Sequence, residues 1–251
     1  MPNPLRRRLD EIVWASPDAF SLDGVEFVVR DVDDDRPDAA GLSVMKSARM
    51  LDAYAEALGE ESVRRMVELG IRKGGSAALF ALLLEPERIL CVDITGPVKP
   101  LERFRRRHSA GARITAAYET SQDDEAALAG LCANGLGGPP DLVIDDASHD
   151  YALSRASFEI LFPRLRPGGL YVIEDWHWAH VPGFELWRDR PALSNLVFQL
   201  MMICAAHPQL IAGISFVPGL AFVRKGSAPA DEARLDVEGL CWMQGRRFEL
   251  L

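Results

Sequence analysis

From Arg64 to Arg224, short apolar runs alternate with stretches of helical spacing. No other feature constrains the fold as strongly. The pattern predicts strands over 65–68, 88–94, 113–117, 141–145 and 169–173, and helices over 76–84, 100–108, 123–133, 151–165 and 192–206. Two further apolar runs, 211–216 and 220–224, flank Val217-Pro218-Gly219 and read as a closing hairpin. Parallel neighbours need a crossover, commonly a helix, so this alternation predicts a mostly parallel sheet with helices on both faces. The expected class is α/β, a seven-stranded sheet with a C-terminal antiparallel hairpin. Upstream, residues 1–40 read as irregular, apart from a short strand at 25–29 and an acidic turn at 31–37. Helical spacing begins near Ser43 and continues through Met50, Tyr54 and Leu58.

Composition narrows the function classes. With 251 residues, 48% of them apolar, the chain can bury a sizeable core. A net charge of −9 gives no long-range attraction for a polyanion, so nucleic acid is not an expected partner. The basic runs at Arg6-Arg7-Arg8 and Arg103 to Arg107 read as solvated helix faces. Cys91, Cys132, Cys204 and Cys241 are scattered and form no C-x-x-C pair, which argues against zinc or a disulfide framework and fits a reducing cytoplasm. The N-terminus is basic with no apolar stretch behind it, so no secretory signal is expected. The most apolar segment, 193–206, is too short to span a bilayer, and no membrane partner is expected.

In open parallel sheets ligands bind beyond the carboxyl ends of the strands, so the strand tips carry the functional reading. The first tip reads Glu68-Leu-Gly70-Ile-Arg-Lys-Gly74-Gly75-Ser76. It is glycine-rich but lacks the G-x-G-x-x-G spacing of dinucleotide sites. An ordinary strand-to-helix turn would look the same. The second tip ends in Asp93, at the separation from Gly70 at which a carboxylate accepts from ribose hydroxyls. A helix cap is its alternative role. Together these tips favour an adenosine-type ligand without a pyrophosphate.

The fourth tip, Asp145-Asp146-Ala-Ser-His149-Asp150, and the fifth, Glu174-Asp175-Trp176-His177, are the most informative. Adjacent carboxylates repel unless a cation or capping donors compensate them. If the two strands are neighbours, about 5 Å apart, Asp146, Glu174 and Asp175 can converge on one cation. Their hard oxygen donors favour Mg²⁺, with Mn²⁺ or Ca²⁺ as substitutes. Capping of the next helix by Asp146 or Ser148 is the competing reading. His149, three residues past Asp146, suits a general base at neutral pH, and His177 either holds substrate or sits at the rim. Trp176, Trp178, Phe184 and Trp187 either wall an acceptor pocket or pack a loop onto the domain.

These segments resemble the class I S-adenosylmethionine-dependent methyltransferases. More narrowly, they resemble the metal-dependent sugar O-methyltransferases of natural-product pathways, which act on macrolide and rhamnosyl groups, and the cephalosporin-hydroxylase-like proteins. The resemblance spans about residues 42–225. It rests on Glu68 to Ser76, Asp93, Thr120-Ser-Gln122-Asp123, Asp141 to His149, and Leu161-Phe-Pro163 through Pro167 to Asp175. It implies a Rossmann-like methyltransferase fold over 46–226, an N-terminal extension at 1–45 and a C-terminal tail at 227–251. By it, Glu68, Gly70 and Ser76 line S-adenosyl-L-methionine, Asp93 binds the ribose, Gln122 and Asp123 lie by the adenine, and Asp145 sits near the methionine end. Asp146, Glu174 and Asp175 bind Mg²⁺, and His149 is the catalytic base. The family often has Gly where Ala147 stands and a H-T-S-Y-W-like run where this chain has His177-Trp-Ala-His180.

The implied reaction is methylation of a hydroxyl on a small-molecule acceptor, a sugar of a secondary metabolite, by a homo-oligomeric cytoplasmic enzyme. The alternatives are a catechol-type phenolic O-methyltransferase and a cofactor-binding accessory protein without turnover. An NAD-dependent oxidoreductase is disfavoured by the missing third glycine.

Overall fold

The computed structural model describes residues 3–30, 42–183, 185–241 and 244–251. The acidic turn expected at 31–37 lies outside these residues, as does Phe184.

The N-terminal segment departs from the irregular reading. Asn3 accepts from the Arg6 amide and Pro4 opens a short helix, α1 (Pro4–Asp10). Four strands follow, β1 (Val13–Ser16), β2 (Ala19–Leu22), β3 (Val25–Val29) and β4 (Leu42–Val44). They form a separate sheet in the order β1-β2-β3-β4, antiparallel except for the parallel β3–β4 pair. The β2–β3 link is Asp23-Gly24, with φ of 50° and 75°. Positive φ at both positions is what a two-residue hairpin turn requires, and Asp-Gly supplies it. Phe20, Leu22, Phe27, Leu42 and Val44 are buried in one core with Met66 and Phe80 of the main domain.

The helix after β4 starts later than its spacing suggested. Leu42–Val44 pairs with β3 and so stays extended, and the Ser47 hydroxyl accepts from the Met50 amide to cap α2 (Ala48–Leu58). The main domain then alternates: β5 (Arg65–Leu69), α3 (Gly75–Leu83), β6 (Arg88–Val92), α4 (Lys99–Arg107), β7 (Ile114–Ala117), α5 (Glu125–Gly135), β8 (Leu142–Asp145), α6 (Tyr151–Leu161), β9 (Leu170–Glu174) and α7 (Ser194–Ala206). It closes with β10 (Ile211–Val217) and β11 (Leu220–Lys225), and a short α8 (Val237–Leu240) follows. Helix α6 stops before Pro163, short of the expected 165, because proline cannot continue a helix and disfavours helical geometry in the residue before it.

The seven main strands run in the order β10-β11-β9-β8-β5-β6-β7. All are parallel except β11, which runs antiparallel between β9 and β10. The expected α/β sheet with a closing hairpin is thus observed. Alternate side chains feed two cores. Met66, Ile144 and Val172 pack towards α2, α3 and the N-terminal sheet, while Val67, Val143 and Tyr171 pack towards α6 and α7. This parity decides where each acidic residue at the strand tips points. The connection changes direction between β5 and β8, and the candidate site opens at that switch point.

Candidate active site

A cavity of about 680 Å³ opens beyond the carboxyl ends of β5, β6, β8 and β9. Gly70, Ser76, Asp93, Gln122, Asp146, His149, Glu174 and Asp175, all singled out in the sequence, face it. Glu68 and Asp145 lie buried outside its lining, and Asp123 stands apart, its carboxylate accepting from the Ser121 hydroxyl at 2.5 Å.

The glycine turn is shaped by contact. Gly70 has φ +78°, and a Cβ there would come within 2.2 Å of the Asp146 carbonyl oxygen. Only glycine lets the first tip pass this close to the acidic loop. The turn is then held by Asp93. One carboxylate oxygen accepts from the amides of Ile71 at 2.8 Å and Arg72 at 3.0 Å; the other accepts from the Thr95 amide at 2.8 Å and hydroxyl at 2.6 Å. Burial alone would raise the Asp93 pKa, but these four donors outweigh it and hold the carboxyl below its ordinary value. The residue expected at a ribose thus also clamps the loop.

The acidic tips separate into two layers. Asp146 and Asp175 each lie one residue beyond their strands, and Asp175 and His149 both adopt left-handed backbone, each with φ +55°. One ligand atom each from Asp146, His149 and Asp175 lies within 4.8 Å of the others. The His149 Nε2 is 3.9 Å from both carboxylates. Glu174, expected in the same ligand set, is still within its strand and faces the core beneath α2. One of its oxygens accepts from the Tyr54 hydroxyl at 2.5 Å and the other from the Lys46 ammonium at 2.7 Å. Lys46 also donates to Asp146 at 2.5 Å. Glu68 shares this face by strand parity and is fully buried without a hydrogen-bond partner.

One ammonium therefore faces four carboxyl groups, and Glu68, Glu174 and Asp175 are shifted upward. Burial, working against the Lys46 charge, lifts Glu68 to about 8. Burial, with the charges of Asp146 and Glu174, lifts Asp175 to about 7. Burial and Asp146 also raise Glu174. Burial depresses His149 to about 4, so its imidazole is neutral at pH 7. A site with this excess of anionic donors is chemically suited to a further cation.

The opposite face carries a support network. Asp145 accepts from the Ser157 hydroxyl at 2.6 Å and from the Tyr171 hydroxyl at 3.3 Å, and burial raises it to about 6. The Gln122 amide donates to Asp145 at 3.2 Å, while its carbonyl accepts from the Ser148 amide at 3.0 Å. Gln122 therefore ties the loop carrying His149 to the sheet.

Of the aromatic residues, Trp178 lines the cavity, 4.4 Å from the His149 ring and 6.0 Å from Trp187. Trp176 packs instead on Phe216, and His177 lies outside the cavity lining. Lys46 and Tyr54 belong to the site; the sequence offers only a helix around residues 46–54 as a cover for the cofactor and gives neither side chain a chemical role, since a single lysine before a helix cap carries no signal of its own.

Residues 67–176 match a family described as a methyltransferase domain. The matched residues contain both acidic tips, the glycine turn and Asp93. Over 149 residues the chain is 48% identical to demethylmacrocin O-methyltransferase of Streptomyces fradiae, covering 52% of this chain and 37% of the relative. Over 106 residues it is 64% identical to mycinamicin VI 2''-O-methyltransferase of Micromonospora griseorubida, covering 36% and 27%. An 8-demethyl-8-alpha-L-rhamnosyl tetracenomycin-C 2'-O-methyltransferase of Streptomyces olivaceus is 32% identical, covering 61% and 41%. The chain thus spans less than half the length of these curated relatives. Among solved structures, the domain superposes on the MycE methyltransferase of the mycinamycin pathway, solved with Mg, SAH and mycinamycin VI. The TM-score is 0.55 at 29% identity, over 73% of this chain and 50% of that one. The described residues contain no helix long and apolar enough to cross a membrane.

Proposed function

We propose that the protein is an S-adenosylmethionine-dependent O-methyltransferase that acts with a divalent cation, Mg²⁺ by preference, on a sugar hydroxyl of a secondary metabolite. The observation that carries this reading is the convergence of Asp146, His149 and Asp175 at one end of a cavity whose other end holds the glycine turn and Asp93. The sugar O-methyltransferases among its relatives, and MycE with Mg and SAH, support the choice of cofactor and acceptor.

Asp146 and Asp175 would hold the cation from the cavity side, with Glu174 beneath them. A bound divalent cation supplies positive charge that lowers the pKa of an acceptor hydroxyl. His149, neutral at pH 7, takes the proton at Nε2 as the methyl group passes to the acceptor oxygen. Trp178 walls the acceptor side and excludes water from His149. Asp93 would accept from a ribose hydroxyl in place of the Thr95 hydroxyl, the donor of its four that can rotate away.

The test is methyl transfer to a panel of macrolide and rhamnosyl glycosides, with a catechol included because Trp178 also suits an aryl ring. Turnover on a glycoside should vanish with EDTA and return with Mg²⁺. His149→Gln should lose roughly 10²-fold or more in kcat. Turnover indifferent to EDTA would refute the metal role, and turnover on the catechol alone would refute the sugar acceptor.

A further inference from the structure

Lysine is almost never fully buried unless paired, yet Lys46 is only 2% exposed. Its partners are two of the carboxylates proposed to hold metal, Asp146 at 2.5 Å and Glu174 at 2.7 Å. A divalent cation held by Asp146 and Asp175 with Glu174 beneath would share two carboxylates with the Lys46 ammonium, which sits on Asp146 Oδ2 and Glu174 Oε2, and two cations on one carboxylate pair repel. Lys46 sits on the residue 45–47 turn between β4 and α2, and Val44, Met45 and Lys46 all line the cavity. Its flexible four-carbon stem can therefore withdraw along the cavity wall without unfolding the sheet beneath.

Granted the proposed metal role of Asp146, Glu174 and Asp175, we propose that Lys46 is the resident counter-cation of the metal-free site and gives up its place when a divalent cation loads. In the metal-free protein it keeps Asp146 and Glu174 together and offsets their repulsion. On loading, the 45–47 turn moves with it, which links metal occupancy to the shape of the cavity wall. Lys46 is a positioning residue here, and its removal acts on metal affinity before chemistry.

Calorimetric titration of Mn²⁺ into EDTA-stripped full-length protein at pH 8 tests this, alongside thermal unfolding with and without metal. Lys46→Gln should melt lower than wild type without metal, bind Mn²⁺ at least about tenfold tighter, and gain more in Tm on loading. Tyr54→Phe removes the other hydrogen bond to Glu174 but no charge, and should stay within about threefold of wild type. Equal or weaker binding by Lys46→Gln would overturn the inference, making Lys46 a brace that metal binding requires. No Mn²⁺ binding by wild type or variant would instead defeat the metal reading itself, and the inference with it. If Lys46→Gln does not fold, lysine-¹⁵N-labelled wild type decides. On Mg²⁺ addition the Lys46 ammonium signal should lose its protection, while Lys225, buried against the carbonyls of Pro163 and Leu165, stays unchanged as a reference. A Lys46 signal that remains protected at saturating Mg²⁺ would refute exchange.

Discussion

Replacing Asp93 with Asn tests whether one carboxylate sets the shape of the cofactor-side wall. The carboxylate accepts four hydrogen bonds, two per oxygen, from Ile71, Arg72 and Thr95. An amide retains one accepting oxygen and sets a donor against the partners of the other. The less costly orientation keeps the oxygen on the Ile71 and Arg72 amides and turns the NH₂ towards Thr95. There the hydroxyl can rotate, but the amide, at 2.8 Å, loses its acceptor. A hydrogen bond to a charged group contributes about 1.5–3 kcal/mol, so Asp93→Asn should lose roughly 2–3 kcal/mol of stability. Urea unfolding at pH 7, followed by circular dichroism, measures it. The pH dependence adds a second check. The folded-state pKa of Asp93 is depressed, so its contribution is present above the ordinary value of 3.8 and lost as pH falls through the lower folded value. The gap between wild type and variant should therefore close in acid. A loss under about 0.5 kcal/mol at pH 7, or a gap that widens in acid, would refute the clamp.

Three further substitutions probe packing and charge. Gly70→Ala combines φ +78° with a Cβ 2.2 Å from the Asp146 carbonyl oxygen, so it should cost about 3 kcal/mol or more, or prevent folding. Gly130→Ala in α5, with nothing within 4 Å of the added Cβ, should stabilise by about 0.5–1 kcal/mol, and equal Tm shifts for the two would contradict the contact. Burial, with Asp146 and Glu174, raises the folded-state pKa of Asp175 to about 7 from 3.8. Its contribution is thus full below about 4 and lost as pH rises through 7. In urea titrations, metal-free wild type should therefore lose stability relative to Asp175→Asn between those values, and a gap moving the other way would count against the acidic cluster.

The parallel sheet was legible because β5 to β9 are apolar runs separated by helices, with β5, β6, β8 and β9 buried on both faces along most of their length. The N-terminal sheet was not. Its strands are three to five residues long, β1 is fully exposed, and β4 pairs with a strand far back in the chain. The Asp23-Gly24 turn pair is a local signal for its hairpin. At the site, the chemistry of the acidic tips was visible in their residue types. The two-layer arrangement was not, because it depends on strand parity. Glu174 faces α2 as the last residue of β9, whereas Asp175 turns out into the cavity through its left-handed backbone. Lys46 follows from neither pattern nor propensity. It is fixed by where the N-terminal sheet delivers the 45–47 turn.

The proposed function puts a divalent cation in the cavity between the acidic tips, beside the cofactor. Anomalous diffraction from crystals grown with Mn²⁺ and S-adenosylhomocysteine tests it most directly. One peak should lie about 2.0–2.4 Å from carboxylate oxygens of both Asp146 and Asp175, with the cofactor's sulfur inside the same cavity. Bound cofactor with no anomalous peak between those carboxylates, or with metal elsewhere on the chain, would contradict it.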